Sequence, residues 1–261
     1  MRDGTGDPRI SGAKREARLA EWLAALEDRH LADLTFSEVT RALRALSSCY
    51  VERRARLARG GALDSRGKRA AFALFYGPYH FSVTRHIVRA LARHTFDIRH
   101  VLDLGCGTGA AGAAWALEAV ASRISGWDRN AWAVNEANWT WRTLGLTGRA
   151  SQGDAARLPQ KDHACTGMLL AYVVNELTPA ARAALLQALI GAGKRGGRVL
   201  VIEPISRRIA PWWNEWVKAF EAEGGRADEW RFPSDLPQRQ RDLARAAGLD
   251  PRELTARSLW T

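Results

Sequence analysis

The residues with the clearest chemical potential lie in the run Val101-Leu102-Asp103-Leu104-Gly105-Cys106-Gly107-Thr108-Gly109. A short apolar strand here runs into glycines at alternate positions. Glycine lets a backbone turn sharply and approach a ligand closely. The helix that follows would offer its N-terminal N–H groups to that ligand. Two further carboxylates recur at the ends of the next strands, Asp128 followed by Arg129 and Asp154 followed by Ala155. Three carboxylates at the carboxyl ends of three successive strands form a specific constellation. The candidate binding set is therefore Asp103, Gly105, Cys106, Gly107, Asp128, Arg129, Asp154 and Ala155, with Tyr172 added from the fourth strand.

Gly107 to Gly112 also fits the dinucleotide pattern G-x-G-x-x-G, so charge must separate the readings. A dinucleotide brings an anionic pyrophosphate to this turn. S-adenosylmethionine (SAM) brings a sulfonium and an ammonium, and Asp103 suits those cations. SAM is the favoured ligand and NAD the alternative. Asp128 ends the second strand about 20 residues after the turn, where it can accept hydrogen bonds from both ribose hydroxyls. The competing role for Asp128 is a turn aspartate capping the helix at Asn130, and for Asp154 a loop carboxylate.

The elements that must position these groups alternate from His100 onward. Strands are expected at 101–104, 124–127, 149–152, 167–174 and 197–203, with helices at 110–121, 130–144 and 179–192. This pattern implies an α/β fold with a parallel sheet and helices on both faces. After Pro204 the order thins. Pro211–Glu223 and Pro237–Ala247 read as helices and Glu253–Trp260 as a final strand, with Arg231-Phe232 the only hint of another.

Upstream, residues 1–15 read as disordered, and 16–96 as a helical basic region preceding a SAM-binding domain at 97–261. Leu19, Leu23 and Leu26 share one helix face. Val39, Leu43 and Leu46 share another, capped by Thr35 or Ser37. Gly60–Lys68 reads as a loop, and Pro78 as a helix breaker. The segment Phe75–Phe81 reads either as a lid that brings Tyr76 or Tyr79 near the adenosine or as core. His80 reads as a structural histidine.

These residues resemble the class I SAM-dependent methyltransferases over about 97–205. The resemblance implies a Rossmann-like seven-stranded sheet with its last strand antiparallel. It implies that Asp103, Gly105 and Gly107 contact the methionine part, Asp128 the ribose and Asp154 the adenine. The thin supply of C-terminal strands departs from that pattern. A looser similarity, to the mitochondrial and bacterial small-ribosomal-subunit methyltransferase-like family, rests on Arg41–Leu46 with Tyr50, Tyr76-Gly77-Pro78, Leu170–Leu177 and Val201–Pro204. Members of that family often carry a cysteine cluster suited to an iron–sulfur centre, which this chain lacks.

Strand four ends at Ala171-Tyr172-Val173-Val174-Asn175-Glu176. Tyr172, Asn175 and Glu176 are the candidate catalytic residues, able to orient an acceptor or act as a weak base. The alternative is that Asn175 and Glu176 cap the helix near Thr178. The Asn/Asp-Pro-Pro-Tyr/Phe motif that holds an exocyclic amine is absent, and no cysteine stands there to attack a pyrimidine carbon. Trp212, Trp213 and Trp216 are either a stacking surface for a base or a core stripe.

The chain has 39 Lys+Arg against 28 Asp+Glu, a formal charge of +11, and residues 1–96 hold 18 of the basic and 10 of the acidic residues. A basic N-terminal third points to a polyanion, most simply RNA or the small ribosomal subunit. The other readings are a SAM-binding assembly factor without transfer and a methyltransferase for a small molecule or peptide. Cys49, Cys106 and Cys165 have no metal-ligand spacing, so no metal is expected, and all three are read as reduced thiols in or near the core. No apolar run is long enough to span a bilayer and no signal sequence is apparent. Cytoplasmic residence, with no membrane partner, is the expectation.

Overall fold

The computed structural model describes residues 12–52, 63–91, 98–158, 164–206 and 210–261. Four helical segments come first: α1 (Gly12–Leu31), α2 (Phe36–Glu52), α3 (Arg66–Ala71) and, after a π-helical turn at Phe72–Tyr76, α4 (Gly77–Ala90). The alternating part then runs β1 (His100–Leu104), α5 (Ala110–Glu118), β2 (Arg123–Asp128), α6 (Ala131–Thr143), β3 (Gly148–Gln152), β4 (Thr166–Ala171), a 3₁₀ turn (Val174–Glu176), α7 (Pro179–Lys194) and β5 (Arg198–Glu203). It closes with α8 (Trp213–Ala222), β6 (Arg226–Pro233), α9 (Gln238–Ala247) and β7 (Glu253–Trp260).

The seven strands form one sheet in the order β3-β2-β1-β4-β5-β7-β6. Strands β1 to β5 are parallel, and β7 is antiparallel to both β5 and β6. This is the Rossmann-like methyltransferase sheet, and its far edge is complete. The edge strand β6, RADEWRFP, is where the thin strand supply is made good. It lacks an apolar run and half-buries one face through Trp230 and Phe232, which is why only Arg231-Phe232 hinted at it.

Of the 1–15 stretch expected to be disordered, residues 1–11 lie outside those described, and Gly12–Arg15 are already helical. Cys49's side chain, Tyr50's side chain, Arg53, Arg54, Arg56, Arg59 and residues 60–62 also lie outside them, and of the expected 60–68 loop Arg66–Lys68 belong to α3 instead. Thr35 caps α2: its Oγ1 accepts from Glu38 N–H while Glu38 Oε2 accepts from Thr35 N–H at 2.8 Å, a capping box. Pro78 does not end a helix. The chain stays helical from Arg66 to Ala90, and the π turn just upstream accommodates a residue with no N–H and a bulky ring.

One large apolar cluster takes in Trp22, Leu26, Val39 and Leu43 from the first helices together with Val101, Leu169, Leu200 and Trp260 of the sheet. The N-terminal helices and the sheet therefore share a core. Full burial of a side chain such as Leu43 contributes about 1.5–3 kcal/mol. Opposite the sheet lies a second cluster built on Leu104, Met168, Leu189 and Val201, which absorbs Trp212, Trp213, Trp216 and Phe220. Those tryptophans are buried at 7% exposure or less, so the stripe is core and offers no stacking face. Cys106 is buried as expected, whereas Cys165 is exposed at the entrance to β4.

Candidate active site

The parallel strands deliver their carboxyl ends to one edge of the sheet, and the candidate residues gather there. At the end of β1 the chain turns through Gly105 and Gly107, with φ of +73° and +51°. A Cβ at Gly105 would lie 2.5 Å from Val173 Cγ2, so only glycine lets the loop sit against the end of β4. Beyond it, α5 begins at Ala110, and the indole Nε1 of Trp141 donates to Gly109 O at 2.8 Å.

Asp128 locks this loop to the second strand. Its Oδ2 accepts from Gly107 N–H at 2.9 Å and its Oδ1 from Asn130 N–H at 2.8 Å. Asn130 is itself the cap of α6, with Oδ1 accepting from the N–H groups of Trp132 and Ala133. Asp128 thus takes the turn role and faces the glycine loop at once. An ionised carboxylate has about four acceptor positions, so Asp128 keeps acceptor capacity beyond its backbone contacts. Burial raises its carboxyl above the ordinary range.

Asp103 lies below the loop, 1% exposed, with Oδ2 accepting from Gly112 N–H at 3.1 Å. Burial pushes its carboxyl up to about 7. A cation above the loop would be felt by Asp103 through the field, and would favour the ionised form. Cys106 is packed beneath the same turn, and burial raises its thiol well above the usual value. It is no nucleophile.

Asp154 and Arg129 form an ion pair at 2.8 Å, Arg129 being 58% exposed. Asp154 also accepts from Ala156 N–H, with Ala155 buried at the turn between them. Because the Arg129–Asp154 pair is exposed, it is worth little in stability and can open readily.

At the end of β4 the chain makes an unusual bend. Tyr172 has φ +62°, a left-handed conformation rare for a bulky residue. Its N–H still donates to Ile202 O at 2.8 Å. Its ring stacks on His80 of α4, centroids 4.2 Å apart and planes 17° from parallel. Burial lowers the His80 imidazole to about 3, so it is neutral. The segment 72–81 crowds this edge as well: the Phe72 ring lies 3.6 Å from where a Cβ of Gly107 would be, and Tyr79 Oη donates to Thr255 O at 3.1 Å. His80 read as a lone structural histidine, and only its stacking on Tyr172 relates it to the site.

Glu176 and Asn175 differ in their surroundings. Burial, with Asp128 nearby, pushes the Glu176 carboxyl up to about 7. Both ends of the Asn175 amide are engaged. Its Nδ2 donates to Glu203 Oε2, and its Oδ1 accepts from Trp212 Nε1 at 2.9 Å. Helix α7 is capped by Thr178, whose Oγ1 accepts from Ala181 N–H, and not by Asn175 or Glu176.

Residues 101–197 match a family model described as a methyltransferase domain. That segment runs from β1 through the glycine turn, Asp128 and Asp154 to the end of α7. It is a class I SAM-dependent methyltransferase domain. SAM is the methyl donor of such a domain, and the site suits it, with an acidic group under a glycine cradle and a second carboxylate with free acceptor positions.

No curated protein sequence matches the chain. Among solved structures, the methyltransferase domain is similar in fold to YcgJ from Bacillus subtilis, at 15% identity and TM-score 0.47, covering 69% of this chain and 96% of that one. It is similar to the methyltransferase domain of bacterial CtHen1-C, at 14% identity and TM-score 0.48, covering 70% and 97%. It is also similar to the PH0226 protein from Pyrococcus horikoshii OT3, at 19% identity and TM-score 0.42, covering 51% and 62%. At this level of likeness none of the three bears on the acceptor. Among the described residues there is no cluster of His, Cys, Asp and Glu suited to a metal, and no helix long and apolar enough to cross a membrane.

Proposed function

We propose that this chain transfers the methyl group of SAM to RNA, with ribosomal RNA the favoured substrate. The observation that carries this reading is where α3 and α4 sit, with the π turn between them, since these helices carry Arg66, Lys68, Arg69, Arg85 and Arg89 and no acidic residue. They pack against the end of the sheet that holds the glycine turn: Phe72 beside Gly107, His80 on Tyr172, and Arg69 over Trp132 at the start of α6. A polyanion drawn to that surface arrives beside the donor. The likeness of residues 41–46 and 170–177 to the small-subunit family supports the same reading. In this scheme 16–96 is the basic RNA-holding region and 97–261 the catalytic domain.

When bound, SAM supplies a methyl group already activated on a cationic sulfonium. The chain's own contribution is then largely position and field. Gly105, Cys106 and Gly107 provide the cradle and Asp103 the negative field beneath it. Asp128 accepts from the ribose hydroxyls with its remaining acceptor positions. Asp154, with Arg129 and Ala155, borders the adenine. Tyr172 packs against donor and acceptor. Glu176, poised near neutrality, accepts the proton that an N–H or O–H acceptor releases, and Asn175 holds the Glu203 network behind it.

The test is transfer of labelled methyl from SAM into separated RNA, protein and small-molecule pools of a cell extract. Label in RNA is the expected result, and nuclease mapping then locates the nucleotide. Label confined to another pool overturns the RNA reading. SAM binding and RNA binding with no label in any pool would make the chain an assembly factor.

A further inference from the structure

We propose that the cleft between α1, α3 and the first turn of α6 seats a phosphate of the acceptor RNA. This inference rests on the RNA reading above and names where one phosphodiester is held. The cleft has a volume of about 160 Å³, and its polar lining is Arg29, His30, Asp33, Arg66 and Arg69 beside Trp132.

The charge is not balanced within the cleft. Glu136, fully buried on α6, accepts from Arg29 at 3.2 Å and pairs with His30 at 2.7 Å. Arg66 pairs with Asp33 at 2.6 Å, both side chains being at least 70% exposed. Arg69 is different. Its Nε donates to the neutral carbonyl of Leu63 at 2.9 Å, and no carboxylate pairs with it among the described residues. Its guanidinium carbon stands 5.9 Å over the Trp132 ring.

A guanidinium backed by an indole and anchored through Nε is already ordered. Its terminal N–H groups form a fork that matches two phosphate oxygens, and little entropy is lost when they bind. The exposed Arg66–Asp33 pair is weak in water, so Arg66 can turn to the same anion at small cost. The seat is also well placed. Trp132 N–H donates to Asn130 Oδ1, and Asn130 N–H donates to Asp128 Oδ1. The residue that backs Arg69 is thus joined through Asn130 to the carboxylate that locks the glycine loop.

The full chain is titrated against a fluorescein-labelled, mixed-sequence single-stranded RNA of about 20 nucleotides, an arbitrary probe length spanning several phosphate contacts, at a series of KCl concentrations. Arg69→Gln should weaken binding about fivefold or more and lower the salt slope by roughly 0.7, the value of one lost phosphate contact on a single strand. Arg66→Gln, a change on an exposed side chain that leaves the core untouched, should weaken binding in the same direction and carries the test if Arg69→Gln melts early. Arg195→Gln, beyond the end of α7 at the opposite edge, should bind as wild type. Wild-type affinity and slope in both cleft variants overturns the phosphate seat and leaves the RNA reading intact. No RNA binding by the wild type overturns that reading and the seat with it. Inorganic phosphate that binds tightly in the cleft, while RNA binding ignores both variants, assigns the seat to a free anion and overturns its assignment to RNA.

Discussion

The imidazole of His80 lies flat on the phenol of Tyr172, with ring centroids 4.2 Å apart, and so ties the N-terminal helices to the end of β4. Tyr172 reaches that position with φ +62°, and its Oη is buried with no hydrogen-bond partner among the described residues. A strained backbone together with an unanswered hydroxyl is costly for stability and is typical of sites that act on a ligand. Tyr172→Phe keeps the stack and removes the hydroxyl. It should melt at the same or a higher temperature, a change of between 0 and about 1 kcal/mol in its favour, while methyl transfer falls. A clear drop in melting temperature would mean that the hydroxyl is bonded in the folded protein.

His80 and Glu176 should make stability depend on pH in opposite senses. His80 falls from an ordinary value near 6.5 to about 3 on folding. The stability tied to its neutral form is complete above pH 6.5 and is lost as pH falls toward 3. Glu176 rises from about 4.5 to about 7. Its share is complete below pH 4.5 and is lost as pH rises through 7. His80→Phe should therefore flatten the acid limb, and Glu176→Gln should gain on the order of 3 kcal/mol relative to wild type between pH 4 and pH 8. Urea denaturation across that range is the measurement, and parallel curves for wild type and both variants would contradict the assignment.

The two loop glycines should differ in cost. At Gly107 an alanine meets only the φ penalty of about 1 kcal/mol, because its Cβ would stand 3.6 Å from Phe72. At Gly105 the Cβ would also drive into Val173 at 2.5 Å, raising the loss to about 2–4 kcal/mol. Thermal melts of Gly105→Ala and Gly107→Ala check the order. Equal losses would mean that the loop can shift away from β4.

Helix α1 is docked through Glu136. Glu136→Ala leaves Arg29 and His30 without their shared acceptor and should cost about 2–3 kcal/mol. Chemical denaturation measures this, and a loss below about 0.5 kcal/mol, the usual range for an exposed surface change, would show that the apolar contacts of Trp22 and Leu26 alone seat the helix.

Much of this architecture is legible along the chain because it is encoded locally. The β1 run, the glycine turn, Asp128 at the end of β2 and the span Glu253–Trp260 each follow from periodicity or from a residue type with one physical use. Elements whose reason is tertiary are harder to read. Strand β6 is an edge strand whose inner face mixes Asp228 with Trp230 and Phe232, so its alternation carries little apolar signal. The tryptophans of α8 look the same in sequence whether they face a ligand or the core. Pro78 is tolerated because of a π turn that no periodicity announces. Glu136, mid-helix on α6, looks like a surface residue until α1 covers it with Arg29 and His30, and the cleft beside Arg69 exists only after that packing.

The most direct test is titration calorimetry of SAM against wild type and Asp128→Ala. The wild type should bind SAM, and the variant should lose on the order of 1.5–3 kcal/mol of affinity, since a charge-assisted contact to the donor and the clamp on Gly107 disappear together. Equal affinity in the two proteins would contradict the assignment of the donor site to the loop that Asp128 holds.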